Sequence, residues 1–110
     1  MPKQRVMVQD TAADADALSA TDLEFAPGPG LIQIYCASTV NTATVTAVVG
    51  SANVVRAQVI PLKTNGIPIV SDDEPLVSEP VGGGEKVVVN LGGTTGTIHT
   101  LAVFTPVDEL

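Results

Sequence analysis

Leu31-Ile32-Gln33-Ile34-Tyr35-Cys36-Ala37-Ser38-Thr39-Val40-Asn41-Thr42-Ala43-Thr44-Val45-Thr46-Ala47-Val48-Val49 is the stretch that decides the fold. It holds two extended segments, 31–38 and 42–49, joined by a Ser/Thr/Asn turn. In the second segment Ala43, Val45, Ala47 and Val49 share one face. Thr42, Thr44, Thr46 and Val48 share the other. That period of two is the signature of a half-buried strand. The Thr face is a flat polar surface, suited to solvent or to pairing with another sheet.

Similar segments flank this pair. Gly50-Ser51-Ala52-Asn53 reads as a hairpin turn into a third strand at 54–60, where Val55, Ala57 and Val59 oppose Val54, Arg56, Gln58 and Ile60. Lys63-Thr64-Asn65-Gly66 carries Asn-Gly, a strong turn signal because both residues tolerate positive φ. Ile67-Pro68-Ile69-Val70 resumes extension, and Pro68 restricts it to an edge or irregular strand. Residues 71–84 are acidic, contain Pro and end in Gly82-Gly83-Gly84, which predicts a mobile surface loop. Strands follow at 85–91 and 97–105 around the turn Gly92-Gly93-Thr94-Thr95-Gly96, and 106–110 forms a tail. Upstream, Ala26-Pro27-Gly28-Pro29-Gly30 is a firm break.

The N-terminal part differs in texture. Residues 1–9 begin basic and then alternate weakly through Val6 and Val8, predicting a strand or an extended arm. Residues 10–22 are rich in Ala and Asp with Leu18 as their one bulky anchor, predicting a loop with at most one helical turn. Leu23 and Phe25 suggest a short strand. The chain thus divides into an arm and loop at 1–22 and a β domain at 23–110. The expected fold is all-β, an antiparallel β-sandwich or jelly-roll-like barrel with an extended N-terminal arm.

At 110 residues the chain is one domain with a small core. Two Phe, one Tyr and no Trp leave that core to Val, Ile, Leu and Ala. A thin aliphatic core gains from burying a second apolar surface, so a homo-oligomer or a subunit of a larger assembly is expected. A monomeric sandwich is the other reading. The net charge of −7 with only Lys3, Arg5, Arg56, Lys63 and Lys86 as cations argues against nucleic acid, which needs a broad basic surface. No run reaches the ~18 apolar residues of a membrane helix, and Met1–Arg5 has no apolar signal core. Synthesis in a cytoplasm is expected.

Candidates for chemistry are few. Cys36 alternates with Ile32 and Ile34, which predicts a buried free thiol. His99 lies in a strand and has no evident catalytic partner. Asp14 and Asp16 begin like a calcium loop, but Ser19 stands where Gly is required and Phe25 where a bidentate Glu is required. Asp72-Asp73-Glu74 is a second acidic cluster, suited to solvation first, and otherwise to gathering Ca²⁺ or meeting a basic patch on a partner. The Gly-rich loops lead into strands rather than helices, unlike phosphate-binding loops. No enzyme, cofactor or metal site is expected.

Gly30–Thr39, Val59–Gly66 and Val87–Thr97, rich in Ala, Thr and Val and poor in aromatics, resemble small β-structured virion proteins of tailed bacteriophages, of the capsid decoration (cement) or minor capsid type. The resemblance spans about residues 30–105. It implies a protein made in the host cytoplasm that binds the outside of an icosahedral shell, often as a trimer at symmetry axes, and stabilises it. The partner would be the major capsid protein. Lys3, Arg5, Val6 and Val8 would then be the capsid-contact candidates. Asp72, Asp73 and Glu74 would face solvent or a basic patch. A carbohydrate- or cell-surface-binding sandwich, such as a fibre or adhesin domain, is the alternative, weakened by the scarcity of aromatic platforms.

Overall fold

Alternating β-branched residues build seven strands in the computed structural model, which describes residues 3–11, 15–40, 42–50, 52–63, 66–68, 75–93 and 96–110. They are β1 (Gln4–Asp10), β2 (Gly30–Ser38), β3 (Thr44–Val49), β4 (Ala52–Val59), β5 (Val77–Val81), β6 (Val87–Gly92) and β7 (Ile98–Pro106), followed by a 3-10 turn at Val107–Glu109. They form two sheets, of order β1-β7-β2-β5 and β4-β3-β6, with every pairing antiparallel. Two open sheets packed face to face are the sandwich of the two expected architectures.

The core lies between the sheets. Ile32, Ile34 and Cys36 of β2, Ile98, Ala102 and Phe104 of β7, and Val77 and Val81 of β5 join Val45, Ala47 and Val49 of β3 and Val87, Val89 and Leu91 of β6. Phe104 is the one aromatic ring in that cluster. Each fully buried aliphatic side chain contributes on the order of 1.5–3 kcal/mol, so the stability is spread over many small residues. The β3–β4 hairpin closes with Val49 opposite Ala52, and Gly50 takes φ +62, as a tight hairpin turn demands.

Several expectations are corrected. The acidic stretch 71–84 is not wholly loop, since Val77–Val81 is strand β5 against β2. Val77 and Val81 turn inward and Pro80 is tolerated because β5 is an edge strand. Residues 15–22 form no regular element, as the loop reading has it, and their one bulky side chain, Leu18, is fully buried in the core cluster that also holds Leu23. Of the two alternatives for the N-terminus, Gln4–Asp10 takes the strand, paired along its length with β7, so no free arm remains over those residues. The short strand expected at Leu23–Phe25 reduces to one bridge, Phe25 with Lys86. Ile67 and Pro68 belong to no strand, and Ile69 and Val70 lie outside the described residues.

Candidate interaction surface

Register with β7 decides which way each residue of β1 points. Val6 lies opposite Ala102 and Val8 opposite Thr100, both on the core side, and both valines pack against the main core. Arg5, Met7 and Gln9 lie opposite Val103, Leu101 and His99, on the face turned away from the second sheet. These three are exposed, as is Lys3 just ahead of the strand. The four predicted contact residues therefore do not form one surface. Lys3 and Arg5 are available to a partner, whereas Val6 and Val8 belong to the sandwich. Met7, 46% exposed, shares the outward face of Arg5 and was not among the residues the sequence reading singled out. Its shared parity with Arg5 was the signal.

The outer face of the four-stranded sheet is itself partly covered. Tyr35, Leu101 and Val103 form a second buried cluster there. The chain after β4 runs along the end of β2, where Ser38 N–H donates to Pro61 O at 3.0 Å and Lys63 N–H to Ser38 O at 2.8 Å. It then reaches β7, where His99 Nδ1 lies 2.7 Å from Gly66 O. A carbonyl only accepts, so the ring proton on Nδ1 donates this bond. The chain returns to β2 where Leu76 N–H donates to Ile34 O at 2.8 Å. His99 thus has a structural role, pinning Gly66 to the sheet.

The four sheet edges are guarded unequally. The edge of β6 is occupied by the segment 15–26, where Ala17 N–H donates to Val89 O, Val87 N–H to Glu24 O and Ala26 N–H to Glu85 O, at 2.8 to 2.9 Å. β4 has an extra residue relative to β3 at two places, between the pairings of Val45 and Ala47 and of Ala47 and Val48. Such bulges bend an edge away from new partners. β5 is five residues long and holds Pro80, which has no N–H to offer. β1 is regular over seven residues, and its second edge pairs with no strand among the described residues. The exposed charges of Lys3 and Arg5 lie beside it.

The other predicted candidates divide as follows. Asp72, Asp73 and Glu74 lie outside the described residues, as does Asp14. Asp16 and Glu24 both approach Lys86 Nζ, at 3.8 and 3.6 Å, and that ammonium sits 5.8 Å from the Phe25 ring centre. These contacts tie the 15–26 segment to β6 at the surface, where each pair contributes little. Among the described residues no group of three His, Cys, Asp or Glu could hold a metal ion, and no helix is long and apolar enough to cross a membrane. Cys36 lies opposite Thr100 and His99 opposite Ala37, so thiol and imidazole emerge on opposite faces of the sheet and cannot pair.

Burial pushes the Cys36 thiol up from 9.0 to about 12, with its contact to the Thr100 hydroxyl, 3.8 Å away, pulling weakly the other way. Burial favours the neutral thiol over the thiolate. The folded chain therefore holds its proton more tightly than the unfolded one. This contribution is fully present below pH 9 and is lost as pH rises towards 12, at about 1.4 kcal/mol per pH unit. Denaturant titrations near pH 8 and about pH 10.5 are expected to differ by roughly 2 kcal/mol from this group alone. The difference should vanish in Cys36→Ala, while native Cys36 resists a thiol reagent that labels the unfolded chain. An equal pH slope in the two proteins would refute the assignment.

No family model, curated protein or solved structure matches this chain.

Proposed function

We propose that the chain is a virion structural protein that binds the outside of an icosahedral phage capsid and stabilises it, in a decoration or cement role. The observation that carries this reading is the rim formed by β1. Lys3, Arg5, Met7 and Gln9 are exposed there, on a chain whose net charge is −7. A small basic and apolar rim on an acidic body orients the domain, drawing β1 towards an acidic shell surface and turning the rest to solvent. Surface contacts of this kind suit a protein that acts by clamping neighbours together. The partner is the major capsid protein and the bound form a homo-oligomer. Asp72, Asp73 and Glu74 are candidates for a second, acidic contact.

The test is co-sedimentation of the purified chain with shells that lack it. Saturable binding and a higher temperature of shell opening are the expected results. Reversing both charges in a Lys3→Glu, Arg5→Glu variant should weaken binding about tenfold and invert its salt dependence. Both side chains are exposed, so the fold should persist. No association with shells would end the decoration reading. Binding to glycans in its place would support the cell-surface module.

A further inference from the structure

We infer that β1 pairs with β1 of a second copy about a two-fold axis through Met7, joining two four-stranded sheets into one continuous eight-stranded sheet. The argument starts from the edges. β6 is covered, β4 is bulged and β5 is short and broken by Pro80, which leaves β1 as the regular edge that no strand pairs among the described residues.

The sequence of β1 then selects a second copy as its occupant. A two-fold axis perpendicular to the sheet keeps the inner face of one copy continuous with the inner face of the other. Antiparallel pairing centred on Met7 sets Met7 against the second Met7, Val6 against the second Val8, Arg5 against the second Gln9, and Gln4 against the second Asp10. No like charges meet. The half-buried Val6 and Val8 extend the apolar core across the junction, and the exposed Met7 side chains cover one another. Pairing centred on Arg5 would set the two guanidinium groups against each other, which is disfavoured.

The pair would also place both sets of exposed Arg5, Met7 and Gln9 side chains on the same outer face. This doubles the rim proposed above for shell contact, and two linked sites bind more tightly than one. The pairing itself does not depend on shell binding. A head-to-tail trimer built by extending this sheet is the competing assembly, and it would join β1 to the β5 edge that carries Pro80.

One added strand pair is a small interface, so self-association in the micromolar range is expected. Sedimentation equilibrium of the full chain should show the mass rising with concentration from 11.2 kDa towards twice that value. Gln9→Arg, which opposes Arg5 of the second copy at two symmetric places, should raise the dissociation constant about three- to tenfold. Gln9→Glu should lower it by a similar factor. Met7→Cys should cross-link to a covalent dimer under an added mild oxidant, while Arg5→Cys should not, because only residue 7 meets itself across the axis. The buried Cys36 does not compete. A monomer at every concentration, a trimer mass, or a dimer indifferent to Gln9 and unlinked by Met7→Cys would each overturn the inference. Failure to bind shells would leave it standing.

Discussion

Gly30→Ala is expected to cost the fold about 3 kcal/mol or more, a large share of the ~5–15 kcal/mol that holds a small domain together. A Cβ at position 30 would overlap the Thr105 carbonyl oxygen and lie 2.9 Å from both Cε1 and Cζ of Phe104. Neither neighbour can move aside. Thr105 O belongs to the backbone of β7, which pairs with β2 over nine residues. Phe104 is fully buried at the centre of the core. The obstacle is space rather than backbone conformation, and this separates Gly30 from Gly84, which has φ +82 and nothing within 4 Å of its Cβ position. Gly84→Ala should cost only about 1 kcal/mol, the strain of a left-handed alanine. Denaturant midpoints of the two variants measure the contrast. Phe104→Leu in the Gly30→Ala background separates the two obstacles at Gly30. It clears the ring but not the carbonyl, so most of the loss should remain. Full rescue would show that the ring alone excludes the methyl group.

The strands around the central pair were legible because each is rich in β-branched and apolar residues and bounded by Gly, Pro, Ser or Asn turn signals, with period-two alternation in β3 and β4. β2, β3, β4, β6 and β7 begin and end within two residues of the expected limits. β5 was not legible. Val77-Ser78-Glu79-Pro80-Val81 holds two apolar residues and a Pro among acidic neighbours, and only its position at a sheet edge makes that sequence a strand. β2 and β7 carried a further signal. Ile34-Tyr35-Cys36-Ala37 and Leu101-Ala102-Val103-Phe104 are unbroken apolar runs, which indicate burial on both faces. A reading by alternation passes over this, and the structure shows it as Tyr35, Leu101 and Val103 buried on the outer face. At the candidate surface, charge alone pointed to Lys3 and Arg5. Removing Val6 and Val8 from that surface required the register of β1 on β7, a long-range pairing that local sequence does not encode.

Leu18→Ala is the second change with a large expected effect, and it tests what the sequence concealed. An isolated leucine among Ala, Asp and Ser has no periodic partners, so a loop reading predicts a cost within about 0.5 kcal/mol. The structure predicts about 2–5 kcal/mol, because Leu18 is wholly buried and its removal leaves a cavity in the main core cluster. For a domain of this size such a loss lowers the melting temperature by about 10 °C or more. The consequence extends beyond stability. Leu18 holds down the segment whose backbone covers the β6 edge through Ala17, Glu24 and Ala26. Ala20 sits in that segment at φ 62, a left-handed conformation that alanine adopts only where its surroundings impose it. Loosening the segment uncovers an unpaired edge, so Leu18→Ala should also aggregate with rising concentration, while the exposed control Ser19→Ala should not. Hydrogen exchange at the Ala17 and Val87 amides reads the same event before global unfolding. Fast exchange there, with protection of β2 and β7 retained, is expected of the variant. A Leu18→Ala protein with unchanged midpoint and unchanged exchange would mean that the 15–26 segment does not close the sandwich in solution.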